Sequence, residues 1–144
     1  MSRRSGRELL LKVLFQVEVG RLPPEDVLEM AFEEVHPSEE EQNYVAHVAR
    51  GVLQELKALD AIIGDLAEGW RLERLAKVDK TLLRMALYEL IHRPETPVSV
   101  VINDAVEIAK KYSTEDSGRF VNGILGSFVR RRDGGAGAAG MDPN

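Results

Sequence analysis

Apolar residues in this chain recur at helical spacing from one end to the other, and no strand-like alternation lasts long enough to compete. Leu10, Val13, Leu14 and Val17 stand at i, i+3, i+4 and i+7, and Gly20 offers a stop. Pro23-Pro24 restarts the chain, because proline in a first helical turn loses no hydrogen bond; Val27, Leu28, Ala31 and Val35 form the stripe that follows. After His36-Pro37, Ser38 and Glu41 have the spacing of a capping box ahead of a long helix, whose stripe is Val45, Val48, Ala49, Val52 and Leu56.

The second half reads the same way. Asp60 is placed to cap a short helix through Ile62, Ile63 and Leu66, ended by Gly69, with Trp70, Leu72 and Leu75 as an apolar linker. Asp79 is placed to cap the next helix, with Leu83, Ala86, Leu87 and Leu90 inward and Tyr88 and Glu89 as core ring and paired structural carboxylate. The prolines of Arg93–Pro97 forbid a continuous helix there. Ile102, Ala105, Val106 and Ala109 mark a further helix, and 113–118 is a polar break. Val121, Ile124, Leu125 and Phe128 mark the last helix. The expectation is an all-α chain of about seven helices in two packed bundles. Residues 1–132 form one domain, subdivided near 57–60, and 133–144 form a flexible Gly/Ala-rich tail.

Composition narrows the function. A chain of 144 residues can bury roughly 70% of its unfolded surface and needs no staple. It has no cysteine, which removes disulfides and thiolate chemistry and agrees with a reducing, cytoplasmic setting. No apolar run approaches the roughly 20 residues of a membrane span. His36, His47 and His92 are scattered, and no phosphate-cradling Gly-Lys loop is present. The reading is therefore a protein with no catalytic, metal or cofactor site.

Charge points elsewhere. The net charge is −5, but it is segregated: residues 25–41 carry eight carboxylates and no Lys or Arg, whereas Arg3, Arg4, Arg7 and Lys12 open the chain and Arg130, Arg131 and Arg132 come near its end. Such a chain can turn one basic face to a polyanion although its total is acidic. On the first helix Leu9, Leu10, Val13, Leu14 and Val17 share one arc, and Arg3, Arg4, Arg7, Lys12 and Gln16 lie round the other side with Leu11 and Phe15 among them. Guanidiniums beside a flat ring are what single-stranded RNA recognition uses. Phe15 is equally readable as a ring buried between the bundles.

Four blocks carry a family resemblance. Arg3-Arg4-Ser5-Gly6-Arg7-Glu8 running into Leu14-Phe15-Gln16 resembles the opening of the NusB family. Val78 through Leu90 resembles the family's central signature, and Pro97 through Lys110 its next block. Asp116-Ser117 with Phe120 through Leu125 resembles its closing block. The blocks occur in family order over about residues 3–130, and residues 20–60 are family-like only in being helical.

The resemblance implies two helical subdomains. It also implies binding of the single-stranded boxA element of ribosomal RNA transcripts together with NusE, a small-subunit ribosomal protein, within an RNA polymerase antitermination complex. RNA contacts are implied at Arg3, Arg4, Arg7, Phe15, Asp116, Phe120 and Asn122; the charge pattern adds Lys12. NusE contacts are implied around Asp79 and Arg84. Asn122 and Gly123 are also readable as a crowded helix crossing. The alternative function is a helical protein–protein module without RNA affinity, and a homodimer of the free protein is compatible with either.

Overall fold

The computed structural model describes the backbone of residues 3–141 and the side chains of residues 3–134. Among these residues are seven α-helices: α1 Arg3–Gly20, α2 Pro24–Val35, α3 Glu39–Gln54, α4 Leu56–Leu66, α5 Lys77–His92, α6 Val98–Tyr112 and α7 Glu115–Met141. One 3₁₀ turn, Leu72–Arg74, lies between α4 and α5. The all-α expectation holds. The backbone is helical as far as Met141. The flexible tail expected over 133–144 falls mostly on residues whose side chains the structure does not describe, and 142–144 lie outside the described residues.

Local chemistry sets most of the helix ends. Pro23 caps α2 in extended geometry, and His36 closes it in the left-handed region at φ 54°, its N–H donating to Phe32. Ser38 accepts from the Glu41 N–H, which is half of the capping box. The Glu41 side chain does not close the other half; it accepts instead from the Ser5 hydroxyl at 2.9 Å.

Two capping expectations are corrected. The α3–α4 break falls at Glu55, so α4 begins at Leu56 and Asp60 lies within the helix, bonded to Arg84. α5 begins at Lys77 after Ala76, so Asp79 sits inside its first turn. In both cases a tertiary partner, rather than the local backbone, takes up the carboxylate.

α5 organises the whole. Every residue from Thr81 to Leu90 is buried, so this helix has no solvent face over that stretch, as expected of a central helix. It packs against α1, α3, α4, α6 and α7. One subdomain is α1 with α2 and α3. The other is α4 to α7, in which α6 and α7 form the most extensive helix pair. The α3–α5 crossing depends on Gly51, where a methyl group would overlap the Tyr88 ring. Leu10, Val45, Leu83, Leu87 and Leu125 are fully enclosed, each worth roughly 1.5–3 kcal/mol of transfer free energy.

Candidate nucleic-acid interface

The basic opening of the chain is the first two turns of α1, not an arm ahead of it. Helical winding therefore divides its arginines. Arg7 precedes Leu10 and Leu11 by three and four positions, which turns it inward, and it is only 3% exposed. Its Nε and Nη2 donate to Glu89 at 3.0 and 2.7 Å, and its Nη1 donates to Asp104 at 2.8 Å. Tyr44 completes the cluster by donating to Glu89 at 2.5 Å. Burial opposes the charge on Arg7, but hydrogen bonding to Glu89 and the surrounding negative groups hold its pKa above the ordinary value. Burial, and next the Glu89 charge, push the Tyr44 phenol up, so it stays a donor. This corrects the reading of Arg7 as an exposed cation: it joins α1 to α5 and α6 from within. Glu89 is the paired structural carboxylate expected.

Arg3 and Arg4 remain partly open. Arg4 donates to Asp104 at 3.0 Å with its side chain 41% exposed. The Arg3 guanidinium lies 4.3 Å from the centre of the Tyr44 ring and 3.7 Å from Glu40, at the edge of an open cleft that also involves Glu39, Asn43, His47 and Arg93. One turn beyond Glu8, Lys12 is exposed, its ammonium 5.9 Å from the Tyr112 ring centre. Lys111 sits 5.3 Å from the same ring and donates to Glu8 at 3.0 Å, and the Tyr112 hydroxyl donates to Glu8 at 2.9 Å. Partial burial works against the Glu8 charge, yet these bonds hold its carboxyl below the ordinary range. Arg4, Glu8 and Lys12 thus form one i, i+4, i+8 row on α1, facing Asp104, Lys111 and Tyr112 of α6. Lys111 and Tyr112 were missed in the sequence. The signal was the Lys110-Lys111-Tyr112 run, a pair of cations beside a ring at a helix C-terminus. Phe15 is half-buried, between its two readings.

The closing block starts α7. Asp116 is exposed and paired with Arg119. Ser117 is buried; its hydroxyl donates to Asp79 Oδ2 at 3.1 Å and meets the Ser113 hydroxyl at 2.8 Å. Phe120 is half-buried, and its ring meets Trp70 edge-on at a centroid distance of 6.2 Å. Asn122 and Gly123 are exposed, and nothing lies within 4 Å of where a Gly123 side chain would begin. The crowded-crossing reading of Gly123 is thereby corrected: its surface is open.

Asp79 and Arg84 are each 7% exposed. Arg84 clamps Asp60 with two bonds of 2.7 and 2.9 Å and reaches Glu18 at 3.2 Å. Asp79 has one oxygen on Ser117 and a second, buried one without a hydrogen-bond partner. Burial pushes its carboxyl above the ordinary value, against the lowering effect of the Ser117 bond. Both side chains are turned into the fold, Arg84 joining α5 to α4 and α1 and Asp79 joining it to α7. Among the described residues no cluster of His, Asp or Glu is arranged to hold a metal, and no helix is long and apolar enough to cross a membrane.

The family model described as NusB family matches residues 4–130. This chain belongs to the NusB family. It is 44% identical to the transcription antitermination protein NusB of Symbiobacterium thermophilum, with 96% of this chain and 95% of that protein aligned. It is 40% identical to the protein of the same name from Acetivibrio thermocellus, over 90% of each. The fold agrees. T. maritima NusB, at 38% identity, superposes with a TM-score of 0.84 over 90% of this chain and 92% of its own. A chain from a crystal structure of the antitermination factors NusB and NusE with double-stranded RNA superposes with a TM-score of 0.82 at 25% identity, over 90% of this chain and 96% of its own. The NusB-family assignment thus covers both subdomains.

Proposed function

We propose that this chain is an RNA-binding transcription antitermination factor that binds boxA-type single-stranded RNA of ribosomal RNA transcripts together with NusE, in the cytoplasm, as part of an RNA polymerase antitermination complex. The observation that carries the RNA-binding part of the reading is the superposition over nine-tenths of the chain onto a chain of the assembly of NusB and NusE with double-stranded RNA. The surface chemistry supports it. Arg3, Arg4, Lys12 and Lys111 offer cations for phosphates along α1 and the end of α6, and phosphate contacts supply most non-specific affinity. Phe120 is a partly open ring with the open Gly123 one turn on, and Asn122 is an exposed amide further round the same helix. A ring of this kind is suited to an unpaired base, since bases within a duplex already stack on one another. Preference for a single strand follows from that.

The mechanism is scaffolding, with no bond made or broken. α1 and α6 neutralise phosphates, α7 holds bases, and the α4–α5 region meets NusE. Asp79 and Arg84 shape the NusE-facing surface from beneath instead of touching it. Fluorescence anisotropy of a labelled boxA-like RNA, titrated with this chain alone and with NusE present, tests the reading. Saturable binding, tighter with NusE and weaker for a base-paired version, is expected. No binding in either condition would leave a helical protein–protein module as the better account.

A further inference from the structure

Trp70 has no place in the contacts assigned so far, yet it is the most exposed large apolar side chain among the described residues, at 59%. It is also the only tryptophan in the chain. Its position is built, not frayed. Gly69 turns the backbone with φ at +81°, a left-handed geometry that glycine adopts without strain. The Trp70 backbone N–H then donates back to the Ala67 carbonyl at 2.9 Å, fixing the main chain from which the indole projects at the end of α4.

The indole meets Phe120 edge-on, with 64° between the ring planes. In an edge-to-face pair neither ring covers both faces of the other, and the Trp70 ring stays largely exposed beside Phe120. Each ring has an exposed arginine as its chain neighbour, Arg71 after Trp70 and Arg119 before Phe120, both with side chains 72% exposed. Among the described residues each guanidinium is paired with an exposed carboxylate on its own segment, Glu73 or Asp116, and such surface pairs hold little energy and exchange readily. Gly123 lies one turn after Arg119 and Phe120 on the same side of α7, and its missing side chain leaves an open floor next to the rings.

We propose that Trp70 and Phe120 form one composite platform on which an unpaired RNA base stacks, with Arg71 and Arg119 taking the flanking phosphates and Gly123 leaving room for the sugar. The proposal rests on the RNA-binding reading above and adds to it a residue from the α4–α5 connection. Charge complementarity selects the occupant. Flanking guanidiniums suit a nucleotide, whose phosphates need cations and whose base needs a flat apolar face.

The single tryptophan makes the test direct. The full chain is titrated with an unlabelled single-stranded boxA-like RNA while indole emission is followed, and separately with a labelled copy followed by anisotropy. Stacking predicts saturable quenching of indole emission with the same midpoint as the anisotropy curve. Trp70→Ala should weaken binding roughly ten-fold, and Trp70→Phe should restore most of it. Gly123→Leu, whose Cβ has nothing within 4 Å, should weaken binding without lowering Tm. Normal anisotropy with unchanged indole emission and full affinity in Trp70→Ala would overturn the platform and leave the RNA-binding reading standing. Absence of any anisotropy change would overturn that reading itself. Quenching by NusE alone, with none by RNA, would assign Trp70 to a protein contact and refute the proposal.

Discussion

Arg7 and Glu89 lie 82 positions apart in the chain and meet through two hydrogen bonds of 2.7 and 3.0 Å, with side chains 3% and 1% exposed. The pair joins the first helix of one subdomain to the central helix of the other. Removing one member of a buried pair leaves the other charged and dry, which costs about 3–5 kcal/mol. Arg7→Ala should therefore lower unfolding stability by that order in urea denaturation. Arg3→Ala, at a half-exposed site, should stay within about 0.5 kcal/mol. Equal, small effects would show that the cluster does not hold the subdomains together.

The same pair marks where sequence reasoning stopped. Helical spacing placed all seven helices, because each stripe is a local pattern that the bundle then buries. Glu89 inside an apolar run already pointed to a buried partner. The identity of that partner was not legible, since it depends on how α1, α5 and α6 converge across about a hundred residues. Arg7 was placed with Arg3 and Arg4 on the side of the helix away from the apolar arc, whereas its three- and four-residue spacing from Leu10 and Leu11 turns it inward. Asp60 and Asp79 illustrate the complementary error: a carboxylate near a helix start looks like a cap until Arg84 and Ser117 arrive from elsewhere in the fold. Phe120 and Asn122 lie off the Val121, Ile124, Leu125 and Phe128 stripe by winding; Asn122 is exposed and Phe120 half-buried. Trp70 was read only as linker, because an exposed position gives no periodic signal.

Gly51 offers a test of the subdomain crossing. Gly→Ala within a helix ordinarily stabilises by about 0.5–1 kcal/mol. Here the added methyl would overlap the Tyr88 ring, so Gly51→Ala should instead destabilise by about 1–3 kcal/mol, the usual cost of overpacking. Combining it with Tyr88→Leu should recover part of the loss beyond additivity, measurable as a coupling energy in a double-mutant cycle.

Asp79 gives a pH signature. Burial raises its carboxyl above the unfolded value, so the folded chain holds a proton that the unfolded chain has already released. Stability from this group is thus full below the unfolded pKa, about 4, and is lost as pH rises through the raised folded value. Asp79→Asn removes that titration. The stability of Asp79→Asn relative to the parent should climb across that interval and level off above it, as read from urea midpoints at successive pH values. A flat difference would mean that Asp79 ionises in the folded chain as freely as in the unfolded one.

The central claim is that exposed cations of α1 and α6 bind RNA phosphates. The most direct measurement is the salt dependence of affinity for a labelled single-stranded boxA-like RNA, compared between the parent and a variant with Lys12 and Lys111 changed to Ala. Each phosphate contact on a single strand contributes about −0.7 to the slope of log affinity against log salt. The account predicts a parent slope of roughly −2 to −3 from three or four contacts at Arg3, Arg4, Lys12 and Lys111, steepening to roughly −4 where Arg71 and Arg119 also meet phosphates. It predicts a slope shallower by about 1.4 in the double variant, with Tm nearly unchanged. A parent slope near zero, or an unaltered slope in the variant, would contradict it.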